Sequence, residues 1–72
     1  MLWNQIAPLV TKAQSQFRLR EYAEALRLLD EAKIKIMQAG KWANGDAKNL
    51  NTCALIEALR RRMEDHLEGV TF

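Results

Sequence analysis

The feature that most constrains the fold is an apolar stripe with helical spacing that changes phase near residue 20. The first stripe comprises Ile6, Leu9, Val10, Ala13 and Phe17. The second comprises Tyr22, Ala25, Leu26, Leu29, Ala32, Ile36 and Met37, with Leu28 at its margin. In one continuous helix the two stripes would lie roughly 130° apart, and supercoiling absorbs a drift of only about 20° per heptad. A single straight helix therefore cannot bury both stripes against the same core.

A break at residues 18–21 turns both stripes inward, and we predict separate helices over about residues 5–19 and 22–39. No Gly or Pro marks this break, so a rival interpretation keeps one long helix in a two-helix hairpin that dimerises. Asn4 is the predicted cap of the first helix, and Pro8 then lies in its first turn, where the missing N–H costs little.

A third helix is predicted over about residues 47–68, after clear turn signals. Gly40 suits a helix C-terminus, Asn44-Gly45 suits a turn, and Asp46 suits an N-cap, while Gly69 is the predicted end. Its main apolar stripe comprises Ile56, Leu59, Met63 and Leu67, with Leu55 and His66 at one edge. The predicted fold is all-α: a three-helix antiparallel bundle that forms a single domain over residues 1–72.

Composition agrees with one small globular domain. The chain has 72 residues, of which 49% are hydrophobic and 28% charged, and a chain this short has little material to enclose a deep substrate pocket. The net charge of +2 is a weak indication of nucleic-acid binding. One cysteine excludes an intrachain disulfide and favours a reducing, cytoplasmic location. We expect no membrane span, because no apolar run approaches about 18–20 residues.

Residues that carry catalysis or bind metals are few and scattered. Cys53 and His66 lie on the same predicted helix, too far apart to touch, and zinc requires three or four convergent ligands. The glycines Gly40, Gly45 and Gly69 stand at helix ends rather than in a phosphate-binding loop. We therefore predict a protein that is not an enzyme, with no catalytic residue, no cofactor and no metal site.

Two further features leave alternatives open. The run Arg60-Arg61-Arg62 spreads around a helix and has acidic neighbours, so it is read as a solvated face or as a nucleic-acid contact. Trp42, in the connection before the third helix, is either a lid on the end of the bundle or an exposed anchor for a partner.

The third helix also carries a second, narrower apolar strip, formed by Ala47, Leu50, Ala54 and Ala58. Small residues beside a leucine make a shallow groove into which another helix can settle. Either the third helix uses both strips for internal packing, or the second strip is an open groove or dimer surface. The predicted partner-binding residues are Ala47, Leu50, Ala54, Ala58 and Trp42.

Segments 9–13 (LVTKA) and 21–28 (EYAEALRL) resemble the first two helices of MIT domains, the microtubule-interacting and trafficking modules, and share part of the tetratricopeptide signature. The resemblance implies a three-helix bundle that binds short helical motifs in grooves beside the third helix. Glu57 falls where that family has an apolar groove-lining residue.

The predicted function is a protein–protein interaction module that binds a partner helix through apolar grooves beside the third helix. One alternative is a free-standing regulator, of the kind encoded by phages and plasmids, that inhibits a host protein as a homodimer. A start at Met1 and the absence of a visible linker suit that alternative. A second alternative is a weak nucleic-acid binder that uses residues 60–62.

Overall fold

The computed structural model describes residues 2–68, which form three α-helices. These are α1 (Leu2–Arg18), α2 (Tyr22–Gln38) and α3 (Ala47–Leu67). The middle helix α2 packs against both α1 and α3, and α1 and α3 approach each other only weakly. The predicted three-helix bundle is confirmed, and the rival hairpin with one long helix is wrong. Gly69, the predicted end of α3, lies outside the described residues.

The break between α1 and α2 is a Schellman turn at residues 19–21. The Glu21 N–H donates to the carbonyl of Gln16 (2.9 Å), and the Arg20 N–H donates to that of Phe17 (3.0 Å). Arg20 adopts a left-handed conformation with φ +64°, which a side chain disfavours. The phase of the stripes predicted this break, although no glycine marks it.

The turn that ends α2 has the same hydrogen bonds with glycine at the equivalent position. The Lys41 N–H donates to the Ile36 carbonyl (3.1 Å) and the Gly40 N–H to that of Met37 (2.9 Å). Gly40 has φ +71°, a conformation that glycine adopts without steric cost. After the connection, the Asp46 carboxylate accepts a hydrogen bond from the Asn49 N–H (2.9 Å), which confirms Asp46 as the N-cap of α3.

The prediction for the start of α1 is wrong. The helix already includes Leu2, so Asn4 is not its cap and Pro8 lies in the helix interior rather than in the first turn. Leu2 packs against the core, and this burial favours extending the helix toward the N-terminus. Pro8 then leaves the Asn4 carbonyl without its usual i+4 donor, which is tolerable because Asn4 is exposed to water.

All three helices contribute to one hydrophobic core. Its buried apolar members are Ile6, Val10, Ala13, Ala25, Leu28, Leu29, Ala32, Ile36, Cys53, Ile56 and Met63. Two predictions for α2 need correction, because Leu28 is buried and Met37 is 53% exposed. The face of α2 that packs into the core is therefore centred closer to Leu28 than the sequence predicted.

The core face of α3 also differs from the predicted stripe. Ile56 and Met63 are buried as predicted, but Leu67 is 47% exposed. Leu67 has the correct phase for burial but lies in the last turn of α3, where the neighbouring His66 packs on Phe17 and Tyr22. Toward the other end of α3, Thr52 and Cys53 are buried, and Cys53 is part of the hydrophobic core.

Candidate interaction surface on α3 and a cavity at one end of the bundle

The predicted second strip of α3, hereafter the outer strip, is exposed along its whole length. Its members are Ala47, Leu50, Ala54 and Ala58. At about 100° per residue, Ala54 and Ala58 lie almost opposite Ile56, which is fully buried. The structure therefore leaves the outer strip in solvent, and α3 does not use both strips for internal packing.

Basic side chains surround the C-terminal end of the outer strip. Arg61 and Arg62 follow Ala58 by three and four positions, so they share its face of the helix, and both are exposed. Neither takes part in an ion pair among residues 2–68. Asp65, one turn further on, is also exposed. The end of the strip thus carries two available guanidinium groups and one carboxylate.

The groove between α2 and α3 is bridged by ion pairs. Lys33 donates to Glu57 (2.7 Å) and Arg60 donates to Asp30 (2.5 Å), and Arg60 also reaches Glu57 (3.5 Å). The hydrogen bond from Lys33 is the main reason that the pKa of Glu57 is lowered. The bond to Asp30 is the main reason that the pKa of Arg60 is raised. The side of α3 that faces α2 is therefore crossed by polar bridges, and the outer strip lies beyond them.

Trp42 is partly buried and packs against the core. The Lys33 ammonium lies 4.8 Å from the centre of its ring, which is a favourable cation–π distance. The neighbouring Ala43 N–H points at the buried Cys53 sulfur at 3.4 Å. These contacts fit the lid interpretation of Trp42. Lys33 also links the ring to Glu57, which borders the outer strip.

The arginine run does not form one basic surface. Arg60 is held by Asp30 and Glu57, while Arg61 and Arg62 project from the exposed side of α3. Only two members of the run are therefore available to a phosphate backbone.

Three aromatic rings meet at the end of the bundle where α1 joins α2, hereafter the closed end. The ring of His66 stacks on Tyr22 with a centroid separation of 4.5 Å and an interplanar angle of 12°. Phe17 packs on His66 at 5.4 Å and on Tyr22 at 5.3 Å. This cluster joins all three helices. The sequence placed His66 at the edge of a stripe, but did not predict its stacking partner.

The opposite end, hereafter the open end, contains a half-open cavity of about 590 Å³. The cavity lies between the first turns of α1 and α3, the end of α2 and the connection that follows it. Its lining residues are Leu2, Trp3, Ile6, Ile36, Lys41, Asn44, Gly45, Asp46, Lys48, Asn49 and Thr52. From the length of the chain we expected no deep substrate pocket, and the sequence did not predict this cavity, because its walls come from four separate segments.

Comparison with known proteins finds no family model, no curated protein and no solved structure that matches this chain. No helix within residues 2–68 is long and apolar enough to cross a membrane.

Proposed function

We propose that this chain is a non-enzymatic protein-interaction module that binds a helix of another protein along the outer strip of α3. The observation that carries the proposal is the exposure of this apolar strip on the side of α3 opposite the core. A soluble helix normally keeps its apolar residues on the core side. In α1 and α2 the apolar residues are strongly one-sided, whereas in α3 they are spread around the helix.

The shape of the strip suits a helical partner. Ala54 and Ala58 carry only methyl groups, so a second helix can approach closely, and Leu50 supplies a larger apolar contact that is 43% exposed. Leu55, 44% exposed, widens the apolar surface on one side. A partner helix with large apolar residues at positions i, i+3 or i+4, and i+7 would complement this surface.

The charges near the outer strip indicate which charged residues should lie beside the apolar residues of the partner helix. Arg61 and Arg62 are exposed and free of ion pairs within residues 2–68. Acidic residues at one end of the partner stripe would meet these guanidinium groups. Such contacts chiefly raise the rate and selectivity of association.

A matched pair of charge insertions tests the proposal. Ala54→Glu places a carboxylate in the middle of the outer strip, whereas Ile34→Glu places one on the outer side of α2, where Ile34 is 52% exposed. Both positions are exposed, so both variants should keep the helical circular-dichroism signal and melting temperature of the wild type. The wild type and both variants are then used as affinity baits in the same cell extract, with quantitative mass spectrometry of the retained proteins.

We expect Ala54→Glu to lose the proteins that wild type and Ile34→Glu both retain. A peptide from the retained protein should then bind as a helix, with affinity reduced by about ten-fold or more in the strip variant, since burying an unpaired carboxylate is unfavourable. Equal retention by both variants would contradict the proposal.

In the alternative function, the chain is a homodimeric regulator and a second copy of the chain occupies the outer strip. Light scattering at several concentrations distinguishes it, because a dimer would have twice the 8.3 kDa mass of the chain. A dimer that Ala54→Glu dissociates and Ile34→Glu does not would assign the strip to self-association. Binding to nucleic acid is less well supported, because Arg60 is already engaged.

A further inference from the structure

The cavity at the open end combines an apolar floor with a basic rim. Leu2 and the 39%-exposed Trp3 supply most of the accessible apolar lining, and Ile6 and Ile36, each 1% exposed, lie behind them as part of the core. Lys41 and Lys48 lie on the same lining. A volume of about 590 Å³ falls within the range of small-molecule sites, roughly 300–1,000 Å³.

The loop wall of this cavity is held by hydrogen bonds. The Asn49 side-chain amide donates to the carbonyls of Lys41 (2.6 Å) and Asn44 (2.5 Å). The Asn44 amide donates in turn to the Gly40 carbonyl (3.1 Å). Because these bonds define the path of the connection, the cavity is formed before any ligand arrives, which limits the ordering cost of binding.

The charges on the rim favour an anion. Neither Lys41 nor Lys48 is paired with a carboxylate within residues 2–68. Asp46 is the acidic residue of the described lining, and its carboxylate accepts a hydrogen bond from the Asn49 N–H at the start of α3. The Lys48 ammonium lies 4.8 Å from the centre of the Trp3 ring, so one cation stands directly beside the apolar wall.

We propose that this cavity binds a small amphipathic organic anion, such as a medium-chain carboxylate. The hydrocarbon body rests on Leu2 and Trp3, and the carboxylate lies between Lys41 and Lys48. The cavity is half-open, about 590 Å³ in volume and walled on one side by the loop, and this size favours a small molecule over a helix. This site is separate from the outer strip and does not depend on the function proposed for it.

Octanoate is the test ligand, and octanamide is its uncharged analogue with the same chain length. Isothermal titration calorimetry measures affinity for the wild-type chain. A Trp42→Phe variant leaves Trp3 as the single tryptophan, so its fluorescence reports binding at the cavity wall. We expect saturable binding of one octanoate with a change in Trp3 emission, and binding of octanamide weaker by about ten-fold or more, because a charge-assisted contact is lost.

Two double variants with the same change in net charge test the rim. Lys41→Gln with Lys48→Gln should weaken octanoate binding by about ten-fold or more. Lys12→Gln with Lys35→Gln removes two lysines that are not on the cavity lining and should leave the affinity unchanged. Thr52→Leu adds bulk on the lining and should also weaken binding, with circular dichroism confirming that each variant remains helical.

Three results would overturn the proposal. These are equal affinity for octanoate and octanamide, equal effects of the two lysine pairs, and the absence of saturable binding at millimolar octanoate. The outer-strip variant Ala54→Glu should bind octanoate like the wild type, so failure of the partner-helix proposal and failure of the cavity proposal are distinguishable.

Discussion

The connections at the closed and open ends of the bundle begin with the same kind of turn, but the side chains at the two ends pack differently. At the closed end a three-residue connection brings α1 and α2 together, and Phe17, Tyr22 and His66 fill the space above the core. At the open end an eight-residue connection, 39–46, follows α2, and its polar residues form a wall around a cavity.

This comparison indicates that the backbone turn does not decide whether side chains cover the end of the bundle. Both ends have Schellman hydrogen bonds and a left-handed residue, Arg20 at one and Gly40 at the other. At the closed end three aromatic rings pack together, and Phe17 also packs against the core. At the open end Trp42 packs against the core and Lys48 lies against the Trp3 ring, but a half-open cavity remains beside them.

The largest expected effect comes from removing packing near the closed end. Met63→Ala deletes a side chain with 0% exposure and should reduce the free energy of unfolding by about 2–5 kcal/mol. A domain of this size has a total stability on the order of 4–10 kcal/mol, so the variant should lose a large share of its stability. Urea denaturation measures the change.

Thr52→Ala, on the cavity lining, should have a much smaller effect, because its hydroxyl bonds only to the Lys48 carbonyl of its own helix. Equal losses in the two variants would contradict the contrast between the ends.

Pro8→Ala should stabilise the half of α1 that leads to the open end. The substitution restores an N–H that can bond to the Asn4 carbonyl and should raise the free energy of unfolding by about 1–3 kcal/mol. Pro8→Gly restores the same donor with poorer helix propensity and should gain less. Thermal denaturation of the three proteins checks this order, and no gain in Pro8→Ala would mean that the helix does not extend through Asn4.

A double-mutant cycle on Tyr22 and His66 measures how strongly the aromatic rings seal the closed end. The single substitutions Tyr22→Leu and His66→Leu, combined in the double variant, should give a coupling energy of about 0.5–1.5 kcal/mol. A control cycle pairs Tyr22 with Ile34, which lies on a different face of α2, and should give no coupling energy. A coupling of zero between Tyr22 and His66 would mean that the stack contributes only buried area.

Arg20 and Gly40, the left-handed residues of the two Schellman turns, provide a direct comparison of these turns. Arg20→Gly relieves a positive φ of 64° and should stabilise the chain by about 1 kcal/mol, whereas Gly40→Ala introduces that strain and should cost about 1 kcal/mol. No atom lies within 4 Å of the Cβ that Gly40→Ala would add, so the effect at Gly40 is conformational. Chemical denaturation should therefore give changes of opposite sign at the two ends.

The smallest expected effect concerns the ion pairs along the α2–α3 groove between the ends. The pKa of Glu57 is lowered by Lys33, so its contribution is present above the pKa of the unfolded carboxyl group. That contribution is lost as the pH falls through the lowered value in the folded state. Glu57→Gln should reduce stability by about 0.2–1 kcal/mol at neutral pH, since the pair is partly exposed.

The difference between wild type and Glu57→Gln should disappear in acid, when the carboxylate of the wild type is protonated. Denaturant titrations at neutral pH and well below pH 4.5, the ordinary pKa of a glutamate side chain, check the sign. A difference that grows in acid would contradict it.

Much of the architecture was readable in the sequence, because helix phase is a local property. The spacing of the apolar residues gave the number of helices and placed the break at residues 18–21 without a glycine. Gly40 and Asp46 gave the boundaries of the second connection, since caps depend on neighbouring backbone groups. The outer strip was also visible, because Leu50, Ala54 and Ala58 recur at helical spacing.

The tertiary structure decided which of these surfaces remain open. Leu67 has the phase of a core residue but is 47% exposed, and the neighbouring His66 makes the contacts with Phe17 and Tyr22 at this end. Glu57 pairs with Lys33, and Arg60 with Asp30, because α2 packs beside α3. The cavity joins Trp3, Lys41 and Lys48 from distant segments. Local sequence determines periodicity and caps, whereas contacts between segments depend on how the helices are placed in space.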